Sequence, residues 1–259
     1  MPSPDAPILE PAPRGVRPLH VLAFDTSTEH LSVGLSGPGG LLTAAAPGGA
    51  QASATLLPHI HALLDRAGLG LRQLDGVAFG SGPGAFTGLR TACAVAQGIG
   101  LALGLPLIPI DSLLIVAEDA RRQAWPRGED CDVTVAMDAR MDEVYAAWYR
   151  WRDGRWRVHK GPGLYALPAL HEAWLQGPVQ ILAGSALGAF GERLQAPAGA
   201  DLRPHEHHRS GALLHLALLA AQDGRTVDAA DALPLYVRDK VAHTTREREA
   251  ARAMAGRAA

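Results

Sequence analysis

AFDTSTEHLSVGL, residues 23–35, can be laid over AMDARMDEVYAAW, residues 136–148, without a gap, and that overlay decides the fold. Asp25 falls on Asp138, Ala23 on Ala136 and Phe24 on Met137. The alternating apolar positions Leu31, Val33 and Leu35 fall on Val144, Ala146 and Trp148. Each copy reads as an apolar strand with a carboxylate at its end, a tight turn and a returning strand, because residues two apart share one face of a pleated strand. An Asp in that place is a turn residue bonded to its own backbone or, when paired with a second across a cleft, a ligand-facing group.

The pattern extends on both sides. LHVLAFD, LSVGLSG and LLTAAA predict three strands in a meander from Leu19. Ser53 to Ala67 carries apolar residues at 56, 57, 60, 63, 64 and 67, the spacing of one helix face, and stops at Gly68, with Pro58 expected in or near the first turn. LDGVAFG predicts a strand, Phe86 to Leu103 a helix, PLIPI a strand and Ser112 to Gln123 a helix. In the second half, WRDGRWRVH predicts a hairpin on an Asp-Gly turn, followed by helix, strand and helix in ALPALHEAWL, VQILAG and SGALLHLALLAAQ. Two copies of βββαβα, each with a mixed sheet, make an α/β chain of the actin-like ATPase (ASKHA) architecture. There nucleotide lies between two lobes, so Asp25 and Asp138 are expected to face each other across the cleft.

With 259 residues, 47% hydrophobic and 19% charged, the chain can bury a sizeable core. The reading divides it into a disordered Pro-rich extension (1–18), an N-terminal lobe (19–124), a C-terminal lobe (125–241) and a mobile tail (242–259). A net charge of -2 gives no overall pull toward nucleic acid or anionic lipid, so any RNA contact must be local or delegated to a partner. Cys93 and Cys131 stand alone, which fits a reducing cytosol and supports neither a disulfide framework nor a Cys-based zinc site. The most apolar run, residues 98–110, is broken by Gly104, Pro106 and Pro109 and falls short of the roughly 20 residues a membrane span needs.

GSGPGAFTGLR, residues 80–90, follows a predicted strand and opens a predicted helix, where free backbone N–H groups can hold an anion. Gly82 and Gly84 allow close approach and Thr87 can cap. The loop matches neither nucleotide-binding glycine motif and lacks a lysine for phosphate, so a tight turn selected for close packing stands beside the anion reading. The helix it opens has small residues on every face and Arg90 as its only charge, which predicts burial on both sides or a helical partner surface. HEHH at 205–208 is the most metal-like cluster by composition, in a loop before an expected helix cap at Ser210; a solvated loop is its other reading.

DTSTEHLSVGL, GSGPGAFTGLRTACAVAQG, DARMDEVY and LPLYVRDKVA together resemble the TsaB (YeaZ) family over about residues 19–241. The resemblance implies a non-catalytic scaffold paired with TsaD for making N6-threonylcarbamoyladenosine beside the anticodon of tRNAs that read codons beginning with A. It implies TsaE, an ATPase, in the same assembly, with ATP or ADP as a nucleotide the complex could hold. The neutral charge leaves tRNA contacted mainly through the complex, and a third reading is homodimeric self-association through the small-residue helix as a resting form. In TsaD-like chains a helix carries H-x-x-x-H as a metal pair; here those positions are about Ser112 and Val116, which cannot replace imidazoles. Where family members often have a His before LLP, this chain has Ala52. The expected anion or nucleotide cleft is Asp25, Thr26, Ser27, Gly82, Gly84, Thr87, Asp138 and Arg140. The expected partner interface is Leu56, His59, Leu63, Arg90, Ala96 and Gly100, with no catalytic or metal-binding residue. Arg140 with Asp138 and Glu143 reads equally as an ion pair holding the hairpin. The competing class is a stand-alone actin-fold enzyme, sugar-kinase-like with Asp138 as base, or glycoprotease-like.

Overall fold

The computed structural model describes residues 18–177 and 179–238; the expected mobile tail, and all but residue 18 of the expected extension, lie outside them. An antiparallel meander opens the chain: β1 (Val21–Asp25), β2 (His30–Gly37) and β3 (Gly40–Pro47). Helix α1 (Ala52–Ala67) leads to β4 (Gly76–Gly82), α2 (Phe86–Leu103) to β5 (Leu107–Asp111), and α3 (Ser112–Ala124) leaves the sheet. The order recurs in β6 (Cys131–Asp138), β7 (Glu143–Arg152), β8 (Arg155–Ala166), α4 (Leu167–Trp174), β9 (Ile181–Ala183), α5 (Ala186–Phe190), β10 (Asp201–Arg203) and α6 (Arg209–Gln222). The two sheets run β3-β2-β1-β4-β5 and β8-β7-β6-β9-β10, the same topology twice. This is the two-lobed actin-like fold.

Helices α1 and α2 cover the outer face of the first sheet through Leu22, Phe24, Val33, Leu56, Leu63 and Ala96. Full burial of a Leu or Phe contributes about 2 kcal/mol, and α1 and α2 end on Gly68 (φ +64°) and Gly104 (φ +65°), left-handed caps that suit glycine. Pro58 lies in the second turn, later than the sequence suggests, because the helix starts at Ala52 after a 3-10 turn at Gly49–Gln51. The carbonyl that Pro58 leaves free belongs to Ala54, an exposed residue. Helix α2 is long and apolar enough to cross a membrane by length and composition alone; here Ala92, Cys93 and Ala96 pack into the first lobe's core.

The inner layer exchanges helices. Although α3 follows the first sheet, its Leu113, Val116, Ala117 and Ala120 pack on β6 and β7, while α6 packs Ala212, Leu213 and Ala217 on β1 and β5. A cut at 124/125 therefore separates the sheets in sequence but not their helices in space.

This layering corrects the gapless overlay. Ala23 packs toward α6, whereas Ala136 packs on the outer side with α4 and α5; the inner-facing residues of β6 are Val133, Val135 and Met137. The overlay is one residue out of step along the first strand, and a slip of one residue turns every side chain to the other face. The registers agree: Asp25 lies opposite Ser32, but Asp138 opposite Val144, one residue fewer around the turn. In the fold, Asp25 corresponds to Met137.

Glu118 of α3 is buried between the sheets and accepts from Arg121 Nε (3.0 Å) and Nη2 (2.9 Å), Arg122 Nε (2.5 Å) and Trp156 Nε1 (2.9 Å). Burial pushes its carboxyl up, but the hydrogen bond and charge of Arg121, with the charges of His215 and Arg122, hold it below its ordinary value. His215 Nε2 lies 3.7 Å from Glu118, and neither ring nitrogen has a hydrogen-bond partner. Burial pushes His215 from 6.5 down to about 4, against the opposing pull of Glu118. The unfolded chain thus binds the extra proton first, and stability present above pH 6.5 is lost as the pH falls toward 4. Between pH 7 and 4.5 the wild type should lose about 2 kcal/mol more than His215→Leu in urea unfolding. Asp111, raised to about 6 by burial against the hydrogen bonds of Tyr149 and the α3 N-terminus, titrates with the opposite sign in both proteins and cancels in that difference. Equal losses would show that His215 is not neutral in the fold.

Candidate functional site

The glycine loop lies against the end of β1. A Cβ on Gly80 would come 2.4 Å from Asp25 Oδ2, one on Gly84 2.5 Å from the Ser27 carbonyl oxygen, and one on Gly88 1.8 Å from that of Thr26. Hydrogen bonds close the contact: Ala85 N–H donates to Ser27 O (2.8 Å), Thr26 Oγ1 to Gly88 O (2.6 Å) and Gly82 N–H to Ser112 Oγ (3.0 Å). Here glycine serves close packing of backbone on backbone. Thr87 does not cap: α2 starts on Ala85 without a side-chain cap, and the Thr87 carbonyl accepts from Thr91 Oγ1 (3.0 Å).

Asp25 is fully buried. Its Oδ1 accepts from Ser27 N–H (2.5 Å), and its Oδ2 from Arg209 Nη2 (2.8 Å) and Ser112 Oγ (3.4 Å). Arg209 enters from the start of α6, also donates to Ser27 Oγ (3.0 Å), and pairs with Glu206. Burial alone would lower its pKa, but Asp25 and Glu206 outweigh that and raise it, so the guanidinium stays charged. The β1 carboxylate is thereby neutralised from within. Sequence reasoning missed Arg209, although it is the one cation at the head of the apolar run RSGALLHLALL.

A cavity of about 650 Å³ opens beside this pair between the two sheets, lined among others by Ser27, Gly84, Phe86, Asp138, Arg140 and Arg209. Asp138 accepts from Arg140 N–H (2.8 Å) and pairs with Arg140 Nη1 (3.3 Å), the hairpin-holding arrangement, while Arg140 Nη2 reaches Glu29 of the first lobe at 3.5 Å. Asp25 and Asp138 do not face each other: the first is sealed against α6 and the second stands at the rim. Arg140, Met141 and Asp142 are consecutive left-handed residues (φ +62°, +56° and +62°), a costly conformation without glycine. Arg238 clamps that turn through Ala139 O (3.0 Å), Arg140 O (3.3 Å) and Glu143 Oε2 (2.8 Å). The segment bearing Arg238 also pairs with the glycine loop, Leu235 N–H to Ser81 O (2.7 Å), so one strap ties both lobes across the cleft.

Of the expected interface residues, Leu56, Leu63, Ala96 and Gly100 are buried, which corrects their assignment as a contact surface. A Cβ on Gly100 would come 2.9 Å from both Ala229 and Leu107. His59 is half-buried; Arg90 is exposed but stacks 3.8 Å over Phe86 and donates to Tyr236 Oη (3.1 Å). The outward faces of α1 and α2 carry Leu57 (46% exposed), Ala94, Gly98 and Leu101 (64% exposed) instead. The HEHH loop serves folding: the His207 and His208 N–H groups both donate to Asp119 of α3 (2.8 Å each), Glu206 is held by Arg209, and the expected cap Ser210 lies inside α6, which starts after His208 without a side-chain cap. Among the described residues no group of three or more His, Cys, Asp or Glu is placed to hold a metal.

A family model described as TsaD, tRNA N6-adenosine threonylcarbamoyltransferase, matches residues 47–180. The chain is 31% identical over 228 residues to the tRNA threonylcarbamoyladenosine biosynthesis protein TsaB of Escherichia coli (strain K12), covering 86% of this chain and 96% of that one. It is 41% identical over 127 residues to the protein of the same name from Haemophilus influenzae, covering 49% and 52%. The structure is similar to that of YeaZ from Pseudomonas aeruginosa, with a TM-score of 0.72 and 36% identity, covering 84% of this chain and 99% of that one.

Proposed function

This chain belongs to the TsaB (YeaZ) family, and from that premise we propose that it is the non-catalytic scaffold that pairs with TsaD to modify tRNA. A role in tRNA threonylcarbamoyladenosine biosynthesis follows from the family itself. The observation that carries the finer reading is the Arg209–Asp25 pair (2.8 Å): the carboxylate at the mouth of the first strand is spent on holding α6. The glycine loop beside it presses on the Thr26 and Ser27 carbonyls, which disfavours an anion there. Ser112 and Val116 are buried and serve packing and the Gly82 bond, which also supports a structural use of this region. ATP or ADP, TsaE and the tRNA belong to the assembled complex in this reading, in the cytoplasm.

The test is transfer of labelled threonine to tRNA with TsaD, TsaE, the threonylcarbamoyl-AMP synthase, ATP and bicarbonate, with and without this chain. Product is expected only when both this chain and TsaD are present; full product without it, or ATP turnover by this chain alone on a small substrate, overturns the proposal.

The proposed TsaD contact is the outward face of α1 and α2, around Leu57, Ala94, Gly98 and Leu101. Leu101→Glu should leave stability within about 0.5 kcal/mol, since the side chain touches solvent, yet weaken TsaD binding at least about tenfold by burying a carboxylate in an apolar contact. Sedimentation with and without TsaD reads the second effect, and unimpaired association would remove this face from consideration.

A further inference from the structure

We propose that the outer face of the β7–β8 hairpin is a docking strip for the phosphate backbone of tRNA, an inference that rests on the tRNA-modifying role above. β7 and β8 run 10 and 12 residues around the Asp153-Gly154 turn, but the helix that covers their outer face, α4, has eight. It reaches Val144 and Ala146 through Leu167, Leu170 and Trp174 and leaves the rest of that face open. The pleat then turns Arg150, Arg152, Arg155 and Arg157 to the same side as Trp148, although the Arg155 guanidinium reaches round the hairpin end to Asp223 at the foot of α6.

The register opposes like charges. Arg150 lies directly across from Arg157 and Arg152 from Arg155, an arrangement that destabilises a ladder on its own. Lys160, across from Trp148, holds its Nζ 4.9 Å from that ring and 5.1 Å from the Tyr165 ring, without a carboxylate within 4.0 Å among the described residues. The acids nearby are too few. Asp132 serves both Arg150 and Arg152, Asp223 serves both Arg155 and Arg225, and exposed Asp153 lies 3.8 Å from Arg157. Asp130 adds a fourth carboxylate at the turn, accepting from Asp153 N–H (3.2 Å), so six cations stand against four carboxylates, a local surplus of two on a chain whose net charge is -2. From Arg155 to Lys160 the strip is about 17 Å long. Guanidinium groups bind phosphate in a two-pronged fashion, and a polyanion laid along the strip would relieve both opposed arginine pairs.

The test compares Arg157→Gln/Lys160→Gln with a charge-matched control in the first lobe, Arg66→Gln/Arg72→Gln, at exposed positions. Labelled tRNA is titrated with the complex of this chain and TsaD across a salt series, and KM for tRNA is measured in the transfer reaction. Expected for the strip variant are a roughly tenfold weaker tRNA affinity near 50 mM salt, a log–log salt slope shallower by about 1.5, and a raised KM with kcat unchanged. The control should move none of these. Equal affinity and slope in the strip variant, or an equal loss in the control, overturns the proposal. So does weakened TsaD association with unchanged tRNA affinity, which would make the strip a seat for an acidic protein face. The two readings fail separately: transfer that needs this chain but ignores the strip variant leaves the role standing, whereas transfer that never needs the chain removes the role itself.

Discussion

Arg209→Met is expected to lower the unfolding free energy by about 3–5 kcal/mol, read as a fall in the urea midpoint at pH 7. The substitution keeps most of the side-chain volume and removes the cation paired to Asp25, a carboxylate with no exposure to water. Asp25 would keep the Ser27 N–H and the long contact from Ser112 Oγ, too little to solvate a buried charge. The loss also spreads, because Arg209 opens α6, which anchors Leu213, Leu214 and Ala217 on the first sheet while following the second in the chain. Adding Asp25→Asn should recover part of the deficit, since the double variant leaves no unpaired charge on β1, and Glu206, which also loses Arg209, is partly exposed to water. A deficit below about 1 kcal/mol for Arg209→Met would mean that water reaches Asp25, and the argument that this carboxylate is occupied from within would fail with it.

Local periodicity made the architecture legible, and its limits mark where the site was missed. Strand and helix patterns of LHVLAFD or Ser53–Ala67 depend on neighbours in sequence, so the repeated element order could be read directly. The pairing of Asp25 with Asp138 could not, because strand identity survives a one-residue slip while side-chain direction does not. The helix pattern likewise named α1 and α2 as apolar, but Leu56 and Ala96 look inward and Leu57 and Leu101 outward, a distinction fixed by which face meets the sheet. Arg209 meets Asp25 across 184 positions of sequence, and Asp119 holds the loop before α6 from 88 and 89 positions away. Contacts of that separation leave no periodic trace.

The same substitution should have opposite signs at two glycines of α2. Gly88→Ala places a methyl where the Thr26 carbonyl oxygen already stands, 1.8 Å from the new Cβ, and that oxygen belongs to backbone that cannot rotate away. Either α2 lifts from β1, breaking the Thr26 Oγ1 bond to Gly88 O (2.6 Å) and the Ala85 bond to Ser27, or the chain after Asp25 shifts and disturbs the Arg209 pair. The expected cost is about 3 kcal/mol or more, at the upper end of overpacking effects. Gly98, ten residues on, is exposed with nothing within 4 Å of its would-be Cβ. There Gly98→Ala should stabilise by about 0.5–1 kcal/mol, the helix-propensity gain of alanine over glycine. Thermal or urea unfolding of the two variants separates the readings of the glycine-rich run. If Gly88→Ala is tolerated, the loop has slack enough to admit an anion and the nucleotide reading of GSGPGAFTGLR regains its ground; if it is destabilised as expected while Gly98→Ala gains, the glycines before and within the first turn are there for contact with Thr26 and Ser27, and the small residues farther along α2 are free to serve a partner.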